Sequence, residues 1–249
     1  MTATKTYFLS DFHLGTPNVQ ASLEREKLLC KFLDSIADDA KTIYLVGDIF
    51  DFWFEYKTVV PKGFLRFFSR LVMLKEKGIE VVVFTGNHDL WMQDYFETEL
   101  QIPVHFKPIQ IDIDNKKFFI GHGDGLGPGD KGYKWMKKIF TNPFCQWLFR
   151  WIHPDIGVGM ANYFSRKSRS ATGIADEKNF GNDEWLVQYA NRKLESNHYD
   201  YFIFGHRHLP LNVQLKNNSR YINLGDWLKY NSYAVFDGTN CELKYFDKL

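Results

Sequence analysis

The chain has 249 residues, of which 45% are hydrophobic and 24% are charged, and its formal net charge is +1. This composition is typical of a globular protein with a substantial core, and it excludes a fibrous or disordered chain. Because the total charge is almost neutral, no bulk attraction to nucleic acid is expected, and no nucleic-acid partner is predicted.

Strand-like and helix-like segments alternate through the first half of the chain. Short apolar runs predict strands at 6–9, 42–46 and 80–85. Apolar residues at helical spacing predict helices at 22–37 and 63–77, between those strands. This alternation of strand and helix predicts a parallel sheet.

The pattern changes after residue 100, where further short strands are predicted. The DNKK segment predicts a hairpin between the first two of them. The predicted strands lie at 104–113, 117–120, 201–204, 212–215, 220–224, 233–236 and 242–246. We therefore expect an α/β fold in which a two-sheet sandwich is flanked by helices.

Residues 132–197 have no strand character and predict a helical insertion within a single domain that spans 1–249. Bulky apolar side chains alternate with lysines and arginine in its first part. A basic amphipathic helix of this kind can lie on a membrane face, so we expect peripheral membrane contact through residues 134–153. Packing within the insertion is the alternative role for its aromatic residues.

Cysteine usage and hydropathy predict a cytoplasmic protein. The cysteines at 30, 145 and 241 are widely spaced, which argues against a disulfide framework or a structural zinc site. The apolar run near the N-terminus is too short for a signal peptide, and no stretch of about 20 apolar residues occurs.

Polar side chains follow several of the predicted strands at the point where each strand ends. In chain order these segments are SDFHLG, GDIFD, GNHD, GHGD and GHRHLP. Since the carboxyl ends of parallel strands lie along one edge of a sheet, we expect their side chains to converge. The candidate ligands are Asp11, His13, Asp48, Asn87, His122, His206 and His208. Oxygen and nitrogen ligands without thiolates suit Mn²⁺, Fe or Zn²⁺, and two ions sharing a carboxylate would use the whole set.

These blocks resemble the signature of the calcineurin-like metallophosphoesterase superfamily, in which D-x-H, G-D-x-x-D, G-N-H-D, G-H and G-H-x-H occur in this order. The resemblance implies a first metal on Asp11, His13, Asp48 and His208. It implies a second metal on Asp48, Asn87, His122 and His206, with Asp48 as the bridge.

The resemblance also implies the catalytic roles. His88 would not bind metal but would lie beside the substrate phosphate, oriented by Asp51. Asn87 and a protonated His88 would offset the charge of the phosphoryl oxygens, and His88 would donate a proton to the leaving group. Two cations would supply hydroxide from a bridging water, so no nucleophilic side chain is required.

Further segments, GDIFDFW, GLGPGDKGY and GHRHLP, resemble the bacterial UDP-2,3-diacylglucosamine pyrophosphatases of lipid A biosynthesis. That family uses Mn²⁺ to cleave an acylated UDP-glucosamine into UMP and 2,3-diacylglucosamine 1-phosphate. The resemblance implies that the insertion is a cap that holds the acyl chains at the cytoplasmic face of the inner membrane. It places Asp130 and Tyr133 on the glucosamine and phosphates, and it favours Lys178 as a phosphate-binding residue. Arg169 lies in the basic segment RKSRS, which we expect to contact phosphate or a membrane surface, with a merely solvated loop as the alternative.

His88 departs from that branch, whose best-known members have arginine at this position. This departure is compatible with two alternatives. The chain either represents a variant branch that acts on the same substrate, or it acts on a different pyrophosphate or phosphomonoester. The second hypothesis is therefore a phosphodiesterase or phosphomonoesterase for a soluble substrate. A third is a catalytically silent scaffold for protein partners, although the complete ligand set argues against it and no obligatory protein partner is evident.

Overall fold

The computed structural model describes residues 4–127, 131–161, 163 and 178–246, with backbone alone at 131, 133 and 182. The first sheet contains β1 (Lys5–Leu9), β2 (Ala40–Val46), β3 (Glu80–Phe84), β4 (Val104–His105), β10 (Ser232–Phe236) and β11 (Cys241–Tyr245). The second sheet contains β5 (Ile109–Ile113), β6 (Lys116–Ile120), β7 (Tyr201–Phe204), β8 (Pro210–Gln214) and β9 (Arg220–Leu224). The strand orders are β11-β10-β1-β2-β3-β4 and β5-β6-β7-β9-β8.

Helices occupy the connections between these strands. In chain order they are α1 (Val19–Ile36), α2 (Leu65–Glu76), α3 (Tyr95–Thr98), α4 (Lys131–Phe140), α5 (Pro143–Phe149), α6 (residues 154–161) and α7 (Trp185–Leu194). Short 3-10 turns occur at Gly181–Asp183 and Lys216–Asn218. No helix in the described part of the chain has both the length and the apolar character of a membrane span.

The central strands are buried on both faces, which explains why they are continuous apolar runs. In β2, Tyr44 and Val46 pack between the two sheets, while Ile43 and Leu45 belong to the cluster that includes α1 and α2. The rings of Phe8 and Phe118 stack across the two sheets with centroids 5.6 Å apart. The outer face of the second sheet is covered by apolar residues of α7. The predicted two-sheet α/β sandwich flanked by helices is therefore confirmed.

The strand predicted at 104–113 is wrong as a single element. Val104 and His105 pair with β3 in the first sheet, whereas Ile109–Ile113 forms a hairpin with β6 in the second. Pro108 lies between the two pieces, and proline cannot supply the N–H that a continuous ladder requires. The chain therefore crosses from one sheet to the other at this point.

The helix predicted at 22–37 begins earlier than expected, because Asn18 caps it. The Asn18 side chain accepts a hydrogen bond from the Ala21 N–H at 2.9 Å, and α1 starts at the next residue, Val19.

The predicted insertion, 132–197, contains α5, α6, α7 and all but the first residue of α4, and no strand occurs within its described residues 132–161, 163 and 178–197. Its separation as a cap within one domain stays a prediction. Residues 162 and 164–177 of the insertion lie outside the described residues.

Helix α2 has its first turn capped by a side chain of α1. Its own N-cap position, Phe64, is left-handed and offers no capping side chain. Instead the buried Glu26 carboxylate accepts hydrogen bonds from the N–H groups of Arg66 at 2.9 Å and Phe67 at 3.2 Å. Glu26 thus fixes α2 against α1 and satisfies two backbone donors. Its negative charge is also favourable at the N-terminus of a helix.

Glu26→Ala is expected to lower the free energy of unfolding by about 1–3 kcal/mol, because buried N–H groups lose their acceptor. In a chain of this size each kcal/mol corresponds to a fall of roughly 2–4 °C in melting temperature. The matched control is Glu24→Ala on the same helix, since Glu24 is exposed and, among the described residues, accepts only from Gln20. Equal melting temperatures for the two variants would contradict this capping role.

Candidate metal centre

Polar side chains meet where the loops after β1, β2, β3, β6 and β7 come together. Several of these loop residues have left-handed backbone angles, which non-glycine residues rarely adopt. They are Asp11, His13, Asp48, His206 and His208, with φ of 55°, 45°, 52°, 70° and 51°. Such strain concentrates where the surrounding structure fixes a functional geometry. Their coincidence at one edge therefore marks this edge as the candidate site.

Two glycines allow these loops to approach closely. A Cβ atom at Gly86 would overlap the Asp48 carboxylate, and one at Gly205 would lie 2.5 Å from Asp11 Oδ2. The glycines of GNHD and GHRH are thus required because a carboxylate occupies the space that a side chain would need.

The first ligand group contains Asp11, His13, Asp48 and His208, whose ligand atoms all lie within 4.8 Å of one another. His13 Nε2 is 3.1 Å from His208 Nε2 and 3.7 Å from Asp48 Oδ2. His208 Nε2 is 3.3 Å from Asp11 Oδ1. The side chains of Asp11, His13 and Asp48 are almost fully buried.

The second ligand group contains Asp48, His122 and His206, again within 4.8 Å. His122 Nε2 lies 3.3 Å from Asp48 Oδ2 and 3.3 Å from Asn87 Oδ1, which brings the amide of Asn87 to the same group. His122 Nδ1 donates to the Val46 carbonyl at 2.9 Å, so Nε2 is the nitrogen available as a ligand. Asp48 is common to both groups.

An unpaired atom of Asp48 indicates that the donor set fits divalent cations. Its Oδ2 atom is buried and has no hydrogen-bond partner among the described residues. Leaving a buried carboxylate oxygen unpaired is costly, and a cation between Oδ2 and the surrounding imidazoles would satisfy it.

The charges of the site are consistent with this fit. Burial opposes ionisation of Asp48, but the charges of His122 and His88 hold its pKa well below the usual range. Burial likewise lowers the pKa of His122, yet the Asp48 carboxylate outweighs this effect and raises it to about 10. For His206, burial and the charge of His122 lower the pKa to about 4. Asp48 is therefore ionised beside a protonated His122, and a bound cation would replace that proton.

His88 lies beside the first group. Its backbone N–H donates to Asp48 Oδ1 at 2.9 Å, and its Nδ1 donates to the backbone carbonyl of Asp51 at 2.9 Å. The Asp51 carboxylate is farther away, with Oδ1 3.9 Å from His88 Nδ1 and 3.7 Å from His13 Nδ1. The ligand atoms of His13, Asp51 and His88 also lie within 4.8 Å of one another. Burial lowers the pKa of His88, so the imidazole by itself is neutral near pH 7.

The family of the chain follows from comparison with known proteins. Residues 4–210 match the family model described as calcineurin-like phosphoesterase. The chain belongs to the calcineurin-like phosphoesterase family. This membership and the clustered aspartates and histidines together identify a dinuclear site for divalent cations.

Two relatives illustrate the similarity. The chain is 38% identical over 262 residues to the UDP-2,3-diacylglucosamine hydrolase of Porphyromonas gingivalis strain W83, and the match covers 99% of each chain. It is 27% identical over 228 residues to the protein of the same name from Shewanella sp. strain W3-18-1, covering 92% of this chain and 91% of the relative.

Solved structures show weaker similarity. A Thermus thermophilus protein aligns over 98% of this chain and 99% of its own, with a TM-score of 0.49 and 11% identity. Entamoeba histolytica Vps29 complexed with zinc aligns over 98% of this chain and 100% of its own, with a TM-score of 0.43 and 15% identity.

Among the residues predicted to bind substrate, Lys178 is the one whose side chain is described, and the role of all four stays a prediction. In this phosphoesterase the Lys178 ammonium lies 5.1 Å from the ring centroid of Phe180, and the Lys178 carbonyl accepts from Arg207 Nη2 at 2.8 Å. Tyr133 lies within α4, but its side chain is not described. Asp130 and Arg169 lie outside the described residues.

Asp226 is a site residue that the motif analysis missed. Its Oδ2 lies 3.6 Å from His208 Nδ1, while Oδ1 accepts backbone hydrogen bonds from Lys229 at 2.8 Å and Leu228 at 3.2 Å. A carboxylate held in this way fixes the orientation of a ligand imidazole. The available signal was its place directly after a predicted strand, in NLGDW, as in GDIFD.

Arg25 was also missed, although it falls on the buried face of α1 with Leu29. The Arg25 guanidinium donates from Nη2 to the carbonyls of His13 at 2.8 Å and Thr16 at 2.5 Å. Arg25 thereby holds the carbonyl of His13, whose left-handed backbone conformation would otherwise be unfavourable.

Arg25→Met is expected to weaken cation binding at the first group by about 10–100-fold, as loss of a partner that orients a ligand typically does. Competition with a chromogenic chelator measures this affinity, and thermal melting reports whether the fold is retained. Arg66→Met is the control, because Arg66 is exposed on α2. An Arg25→Met protein that is folded and binds cations as tightly as the control would show that Arg25 does not position His13.

Proposed function

We propose that this phosphoesterase cleaves the pyrophosphate of UDP-2,3-diacylglucosamine into UMP and 2,3-diacylglucosamine 1-phosphate. The observation that carries the proposal is the Asp48 carboxylate shared by two ligand groups. Full-length similarity to a UDP-2,3-diacylglucosamine hydrolase at 38% identity supports this substrate.

The proposed first ion is held by Asp11, His13, Asp48 and His208. The proposed second ion is held by Asp48, Asn87, His122 and His206. Mn²⁺ is the proposed metal, and the same oxygen and nitrogen ligands also suit Fe and Zn²⁺. When bound, such a pair of ions polarises the phosphoryl oxygens and makes hydroxide available from water near pH 7.

The role proposed for His88 follows from its hydrogen bonds. Because Nδ1–H donates to the Asp51 carbonyl, the other ring nitrogen, Nε2, is the one that can gain a proton. An anionic phosphate beside the ring favours the protonated imidazole. His88 then stabilises charge on the phosphoryl group and delivers the Nε2 proton to the bridging oxygen as its bond to the attacked phosphorus breaks.

The role proposed for Asn87 follows from its contact with the second ligand group. Its Oδ1 faces His122 Nε2, so the amide oxygen is placed for the second ion. The amide NH₂ group is then the part that donates to a phosphoryl oxygen, and this makes Asn87 both a ligand and a catalytic group.

The aromatic residues around α5 support an acylated substrate. Phe149 lies with its ring centroid 4.7 Å from that of Phe54 and 4.7 Å from that of Trp91, so α5 covers apolar side chains beside the site. Exposed on the same segment are Trp135, Phe144, Trp147, Leu148 and Trp151. We propose that residues 134–153 contact the cytoplasmic face of the inner membrane, and that Asp130, Tyr133, Arg169 and Lys178 bind the glucosamine and phosphates.

The direct test is incubation of the purified protein with UDP-2,3-diacylglucosamine and Mn²⁺. UMP release is expected at a rate far above the hydrolysis of a generic aryl phosphate diester, and chelation should abolish it. Asp48→Asn should lose both activity and bound metal, because it weakens a ligand of both groups. Equal rates for the two substrates would instead favour a phosphoesterase for a soluble substrate, and no hydrolysis with no bound metal would favour a scaffold.

His88→Ala is expected to reduce kcat by about 10²–10⁴-fold, the usual contribution of a general acid. Bound metal, measured by elemental analysis, should remain at the wild-type level, because His88 is not a proposed ligand. Loss of metal in this variant would contradict the assignment and would place His88 in the coordination shell with His13 and Asp51.

A further inference from the structure

A cleft of about 590 Å³ lies beside the metal centre, between the ends of β3 and β6 and helices α4 and α5. We call it the side cleft, and its walls include Thr85, Phe106, Lys107, His122, Lys137 and Gln146. Because His122 belongs to the second ligand group and also lines the side cleft, the side cleft adjoins the metal centre.

The side cleft contains an unsatisfied polar group. Thr85 is only 6% exposed, and its Oγ1 atom is buried without a hydrogen-bond partner in the part of the chain that the structure describes. A hydroxyl can both donate and accept, and buried polar atoms are normally paired. Thr85 therefore points to a ligand that carries a hydrogen-bonding group into the cleft.

The walls also offer a stacking surface and positive charge. Phe106 is 51% exposed although it is aromatic, and it belongs to the segment where the chain crosses between the sheets. Lys107 adds a cation next to it, and Lys137 reaches the cleft from α4, where it is paired with Asp124. An exposed ring with adjacent cations is suited to a planar base that carries phosphate.

The lining is mixed. Beside its polar groups, the side cleft is also lined by Phe84, Leu90, Met92, Pro108 and Leu126. Lysines, a glutamine and the Thr85 hydroxyl would lose hydration against a hydrocarbon chain without gaining hydrogen bonds, whereas a nucleoside presents both an apolar ring face and hydrogen-bonding groups. The mixed lining therefore favours the nucleoside half of the substrate over an acyl chain.

We propose that the side cleft binds the uridine half of the substrate, with the uracil ring on Phe106 and a hydrogen bond from the nucleoside to Thr85 Oγ1. This inference rests on the proposed function, because a nucleotide substrate brings the pyrimidine. It places the UMP phosphate toward His122 and the acylated sugar on the other side of the metal centre.

The test uses UMP as the probe on the Mn²⁺-loaded full-length protein. Phe106→Ala should raise the inhibition constant of UMP by about 5–150-fold, the range for loss of one stacked base. Thr85→Val keeps the side-chain shape without the hydroxyl and should raise it about fivefold. In both variants the KM for the lipid substrate should rise more than kcat falls, and inhibition by inorganic phosphate should not change.

Tyr245→Ala is the matched control, since Tyr245 is an aromatic residue 53% exposed on the edge strand β11. If the wild type releases UMP but both cleft variants keep the UMP inhibition of this control, the inference is overturned while the proposed function stands. If the wild type releases no UMP from the lipid and UMP does not inhibit it, the proposed function fails and the inference fails with it.

Discussion

The site depends on one buried carboxylate, that of Asp48, which lies between two sets of imidazoles and cannot satisfy both of its oxygens within the described part of the protein. Its surroundings are fixed by backbone contacts rather than by packing alone. Asp89, whose pKa burial raises to about 7, accepts from the N–H groups of Gly86 at 2.6 Å and Ile49 at 2.8 Å, and so ties the loop after β3 to the loop after β2. A substitution in this network would move Asp48 relative to both groups, so we regard the network as the structural basis of a shared cation site.

The two-sheet architecture explains why such a site forms where it does. The loops of the first sheet supply Asp11, His13 and Asp48, whereas His122 and His206 follow strands of the second sheet. The His206 N–H donates to Asp11 Oδ2 at 3.0 Å, which joins the two sheets at the edge of the sandwich. The spacing between the ligand groups is therefore set by the packing of one sheet on the other. The apolar core between the sheets thus helps to fix the geometry of the site.

Much of this was accessible from sequence, because hydrophobic runs locate strand ends and polar residues at those ends must share an edge. The split of 104–113 between sheets was not, since apolar periodicity identifies which residues are buried but not which sheet buries them. Arg25 and Asp226 lie outside the family blocks, and their contacts join segments distant in the chain. The side cleft likewise depends on Phe106 and Gln146 lining one cavity although they are distant in the chain, which no local pattern reports.

The measurement closest to the central claim is electron paramagnetic resonance of the protein loaded with Mn²⁺. Two ions that share the Asp48 carboxylate are separated by only about 3.5–4 Å, so their spins should be exchange-coupled and the hyperfine spacing should be halved. Wild-type protein is expected to give this coupled spectrum at a stoichiometry of two ions per chain. A spectrum of isolated Mn²⁺ at full loading would contradict a shared carboxylate and the mechanism built on it.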